Sequence, residues 1–80
     1  MATYSSWISQ AIAQLVIALL GETGLTRRAL ATSSGITYST LLRKLDGQGE
    51  FSVQELYLIA KVFGIPPSEL LPRAFQRVAA

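Results

Sequence analysis

Eighty residues, half of them hydrophobic, with a net charge of +2, imply one ordered domain near the lower size limit for a self-supporting core. Neither cysteine nor histidine occurs, which removes disulfides, thiolate and imidazole metal sites, and the commoner nucleophile–base pairs. The start MATYSS has no basic stretch of the secretory kind, and the apolar run AIAQLVIALL is broken by Gln14, so neither export nor a membrane span is expected and the cytoplasm is the expected location.

Five helical segments and no strand are predicted. The first runs from about Trp7 to Leu20, capped by Ser5 or Ser6, with Ile8, Ile12, Leu15, Val16 and Leu19 at helical spacing and an exit at Gly21 and Gly24. The second is short, from Arg27 to Ser33, with Thr26 as its N-cap and Gly35 in the turn that follows. The third, Tyr38 to about Asp46, is capped by Thr37 and stopped by Gly47. Two short helices joined through a glycine-containing turn have the spacing of a helix-turn-helix.

Ser52 and Glu55 form a capping box for the fourth helix, which runs to about Phe63 and ends at Gly64. Its apolar face is expected to hold Val53, Leu56, Ile59, Ala60 and Phe63. A short turn from Pro67 to Leu71 follows, because Pro72 cannot sit inside a regular helix. A tail helix then runs from Pro72 to about Val78. The chain therefore reads as a single domain over 1–80, with its core at about 7–71 and a tail at about 72–79.

The charge is unevenly spread. Between Leu25 and Gly47, Arg27, Arg28, Arg43 and Lys44 outweigh Asp46 and leave +3. Elsewhere Glu22, Glu50, Glu55 and Glu69 outweigh Lys61, Arg73 and Arg77 and leave −1. A local excess of this kind suits a surface that meets a polyanion.

At 100° per residue, Leu41 and Leu45 fall about 40° apart and mark the inner side of the third helix. Arg43 lies roughly opposite, with Ser39 and Thr40 beside it and Leu42, Lys44 and Tyr38 on the flanks. In a major groove, Arg43 can donate two hydrogen bonds to guanine, Ser39 and Thr40 offer hydroxyls, and Leu42 can touch a thymine methyl. Lys44 and the amides near Thr37 suit phosphate. Hydroxyls first and cations last are also what capping and the helix dipole favour, so this helix taken alone fits an ordinary solvated helix somewhat better. The second cationic pair, Arg27 and Arg28, at the start of the preceding helix tips the balance toward DNA.

The stretch LTRRALATSSGITYSTLLRKLDG, followed by FSVQELYLIAKVFGIPPSELL, resembles the Cro/C1-type, lambda-repressor-like helix-turn-helix family. The likeness covers roughly Ile8 to Leu71 and rests on L-T-x-x-x-L-A-x-x-x-G-I, V-x-E-L-x-x-I-A and G-I-P-x-x-x-L-L taken together. It implies an all-α, compact five-helix bundle and a bacterial or phage regulator, expected to act as a repressor. It also implies base contacts from Tyr38, Ser39, Thr40 and Arg43, and backbone contacts from Arg27 and, in the following loop, Gly47 and Gln48. With the local reading, the expected phosphate set is Arg27, Arg28, Thr37, Lys44 and Gln48. The chain departs from the family in three places: Arg27 replaces a common glutamine, Asp46 stands before the closing glycine, and Lys44 takes a position often apolar.

In the same family the last helix often forms a two-fold dimer, which places Leu70, Leu71, Phe75 and Val78 at an expected homodimer interface. The first helix, apolar on almost every side, is either enclosed by the core or open to a partner. Trp7, Tyr4 and Tyr57 are expected to pack rather than stack on bases. The expected partner is double-stranded DNA, with no metal, small-molecule cofactor or membrane. A protein-interaction module built on the same fold, using the first helix and the tail, is the alternative. An enzyme ranks behind both, since the acids are scattered and no phosphate-loop pattern occurs.

Overall fold

The structure is a computed structural model that describes residues 4–72. Four α-helices, α1 (Tyr4–Thr23), α2 (Arg27–Ser34), α3 (Tyr38–Leu45) and α4 (Val53–Phe63), precede a 3-10 turn at Pro67–Leu70. No strand occurs among the described residues. The expected tail helix from Pro72, with Phe75 and Val78, falls outside them.

α1 is longer than its sequence pattern indicates. Ser5 and Ser6 lie inside it rather than at its cap, and it continues through Gly21. A Cβ at Gly21 would meet no atom within 4 Å, and an interior glycine costs a helix only about 1 kcal/mol, too little to stop one so well packed. The exit comes at Gly24, whose φ of 75° is open to glycine and strained for other residues. The chain then turns by 107° into α2.

The core is built from one stripe of each helix. Ile12, Ala13, Val16 and Leu20 of α1 meet Leu30 and Ala31 of α2, Leu41 and Leu45 of α3, and Leu56, Ile59 and Ala60 of α4. Ile36, Phe51 and Leu70 close it. Ile17 and Leu19 are half-buried against this cluster, so much of the apolar length of α1 is covered within the protomer. No single helix among the described residues is long and apolar enough to cross a membrane.

Three apolar side chains do not pack as their pattern indicates. Val53, expected on the apolar face of α4, is 84% exposed. Trp7 and Tyr57 are about half exposed, and the Lys61 ammonium lies 5.8 Å from the centroid of the Tyr57 ring. Leu70 reverses another expectation. It is fully enclosed by the protomer's own core, where α4 and α1 meet the 3-10 turn, and is not available to a second subunit.

A candidate nucleic-acid interface on the second and third helices

Two helix starts are presented side by side. Thr26 caps α2 by accepting the Ala29 N–H at 3.0 Å, and the first intrahelical bond runs from the Leu30 N–H to the Thr26 carbonyl. The Ser34 hydroxyl donates to the Ala31 carbonyl and accepts the Ile36 N–H, both at 3.3 Å. With Gly35 at a φ of 82°, this closes the turn in three residues. Ile36 is buried and so anchors the turn to the core.

α3 begins after Thr37, which occupies the N-cap position but makes no side-chain cap hydrogen bond. The first bond inside this helix is from the Leu41 N–H to the Thr37 carbonyl at 2.9 Å. The amides of Tyr38, Ser39 and Thr40 therefore have no acceptor within the helix, the usual arrangement where an anion is received. Across the turn, the Arg28 guanidinium stacks on the Tyr38 ring, 4.1 Å from its centroid. That contact ties the start of α2 to the start of α3. Such a pair contributes about 0.5–1 kcal/mol at an exposed site.

The inner side of α3 is the predicted one: Leu41 is fully buried and Leu45 nearly so. Ser39 and Arg43, four residues apart, are exposed on the other side. Thr40 and Leu42 are half-buried flanks, and Tyr38 is half-buried beneath Arg28. Arg28, Thr37 and Gln48 are exposed, while Arg27 is partly covered.

The end of α3 is closed by its backbone. The Gly47 N–H bonds the Lys44 carbonyl at 3.0 Å, and the Gln48 N–H bonds the Arg43 carbonyl at 2.9 Å. Gly47, with a φ of 85°, makes this paired closure possible. Arg43 Nη1 also donates to the Gln48 carbonyl at 3.2 Å, so the guanidinium rests on the loop. Gly49 leaves room for it: a Cβ there would come within 3.2 Å of that nitrogen.

Two charged residues adjoin this face without sharing its contacts. Asp46 ends α3 beside a groove of about 420 Å³ lined by Trp7, Gln10, Ala11 and Gln14 of α1. The acid thus borders α1. Lys44, expected on phosphate, is held elsewhere. Its Nζ lies 2.6 Å from Glu55 Oε1, and the two side chains are only 14% and 20% exposed. The same oxygen accepts the Ser52 N–H at 2.9 Å, while Ser52 Oγ accepts the Glu55 N–H at 3.0 Å. The predicted capping box is present and carries an ion pair besides. Sequence spacing identified the box but not the pair, because Lys44 and Glu55 meet only once the intervening loop brings the start of α4 within reach of the long Lys44 side chain.

Burial pushes the Glu55 carboxyl up, but hydrogen bonds from Lys44 and Ser52, with the Lys44 charge, outweigh it and hold the pKa below the ordinary glutamate value. A depressed carboxyl stabilises the fold above its unfolded pKa, and that contribution is lost as pH falls through the folded value. Glu55→Gln is therefore expected to cost about 1 kcal/mol at neutral pH, a few degrees in Tm. Thermal melts of the two proteins should converge only as pH falls below the ordinary glutamate range, through the lowered folded value. Parallel melting curves at every pH would contradict this.

No curated protein and no solved structure matches the chain. A helix-turn-helix family does match, over residues 15–70, well over half of the length. That span holds the Thr26 cap, the Gly35 turn, the exposed side of α3 and the Ser52–Glu55 box, all of them parts of one DNA-binding architecture. The chain belongs to the Cro/C1-type helix-turn-helix family.

Proposed function

We propose that the protein is a sequence-specific transcriptional regulator, a repressor of bacterial or phage type, that lays α3 in the major groove of duplex DNA. The observation that carries this reading is the Arg28–Tyr38 stack beside the exposed Ser39 and Arg43. It gathers cations, hydroxyls and unpaired helix amides along the starts of α2 and α3. Arg43 leaves the Gln48 carbonyl and donates to O6 and N7 of a guanine, exchanging one solvent-exposed hydrogen bond for two. Ser39 and Thr40 read neighbouring edges, Tyr38 contributes at the helix start, and Leu42 meets a thymine methyl. Arg27, Arg28, Thr37, Gln48 and the first amides of α3 hold the phosphates and fix the register.

The proposal extends to a homodimer on a pseudo-palindromic site, with half-sites about 34 Å apart. With Leu70 committed to the protomer's own core, its interface falls to Leu71 and to the tail residues Phe75 and Val78.

The test is titration of random-sequence duplex across a salt series. The protein should shift the duplex at low salt and release it as salt rises, because freed counterions drive non-specific binding. Absence of any shift at low salt would favour the interaction-module alternative, which uses the first helix, where Trp7 is exposed, and the tail.

A further inference from the structure

Lysine and glutamate are seldom covered unless paired, and the Lys44–Glu55 pair is covered for most of its surface. The acid is held by contacts that do not involve the lysine. Both halves of the capping box hold Glu55 at the start of α4, by its own N–H and by the Ser52 N–H that its Oε1 accepts. The Lys44 stem then passes the loop at Gly49, where a Cβ would lie 3.4 Å from Cγ and 3.7 Å from Cε. An anchored carboxylate on one helix thus grips an extended side chain on the next.

The other attachments of α3 to the core are of a different kind. Leu41 and Leu45 pin its inner side by apolar contact, which has depth but little direction. The ion pair is directional and grips the residue next to Arg43. A small roll of α3 is magnified at the end of the long Arg43 side chain, and base reading tolerates little displacement.

We infer that Glu55 is a positioning residue for base reading: through Lys44 it sets the roll of α3 and withholds that ammonium from the DNA backbone. The inference rests on the DNA-reading role proposed above. Removing the Glu55 charge then has two consequences at once. α3 loses its directional anchor, which harms recognition of the preferred site. Lys44 is released, which adds a phosphate contact that any sequence can satisfy.

Binding of the preferred site and of random duplex should be measured across a salt series for the full chain and for Glu55→Gln, Lys44→Met and the double variant. Glutamine keeps an oxygen for the Ser52 N–H, so the cap of α4 survives. Glu55→Gln should bind random duplex more tightly, steepen the salt slope by about one unit, and lower the site-to-random ratio several-fold. Lys44→Met should lower that ratio while keeping the wild-type slope, and the double variant should show no steeper slope than Lys44→Met.

A slope shallower by about one unit in Lys44→Met would place Lys44 on phosphate already and overturn the inference. So would a Glu55→Gln protein that loses site and random affinity in equal proportion with its salt slope unchanged, as a purely structural pair requires. A wild-type protein that leaves random duplex unshifted at low salt refutes the DNA-reading role and the inference with it. A wild type that binds, with both variants behaving like it, refutes only the role of the pair.

Discussion

Leu41→Ala should cost the fold about 2–5 kcal/mol, the range for truncating a fully enclosed leucine. Leu41 has no exposed surface and sits where α3 meets α1 and the common core. A domain of this size is stabilised by only about 5–15 kcal/mol, so the loss takes a large share of the total. In thermal melts the Tm should fall by roughly 10–40 °C. Leu42→Ala makes the natural comparison, since Leu42 is one residue away and only half-buried. Its truncation should lower the Tm far less. Equal losses at the two positions would mean that the inner side of α3 has been misplaced.

Arg43→Ala is expected to leave the fold nearly unchanged and to damage recognition. The side chain is exposed, and among the described residues it donates a single hydrogen bond, to a loop carbonyl. On the preferred site the loss should be about 1–3 kcal/mol, with relaxed preference at one base pair. Binding constants for the preferred duplex and for single-base variants of it check both parts. A uniform loss on every sequence would reduce Arg43 to a phosphate anchor.

The bihelical unit was legible because its signals are local. Thr26, Gly35 and Gly47 mark starts, turn and stop within a few residues, and the observed boundaries of α2 and α3 differ from the predicted ones by a single residue. The Ser52–Glu55 box is equally local, and the period of α3 alone placed Leu41 and Leu45 inward. The extent of α1 was not legible. Gly21 reads as a stop, but nothing crowds it and tertiary packing carries the helix past it.

Contacts between helices escaped because side-chain pairing across a turn or loop leaves no mark in local spacing. Arg28 and Tyr38 are ten residues apart and meet across the turn; Lys44 and Glu55 are eleven apart and meet across the loop before α4. A signal for the second pair did exist. Lys44 flanks the buried side of α3, and a cation there calls for an acid on a neighbouring element. The acid at the end of α3 finds its setting the same way. Asp46 adjoins Arg43 in angle along the helix, but the packing of α3 on α1 places it beside the α1 groove.

α3, with the start of α2, is the surface proposed to meet duplex DNA. Amide NMR shifts during titration with a duplex carrying the preferred site test it most directly. The largest shifts are expected at Arg27 to Ala29, at Thr37 to Arg43, and at Gln48, with little change along the outer side of α4 at Tyr57 and Lys61. Shifts centred on Trp7, Gln10 and Gln14 of α1, with α3 unmoved, would contradict it.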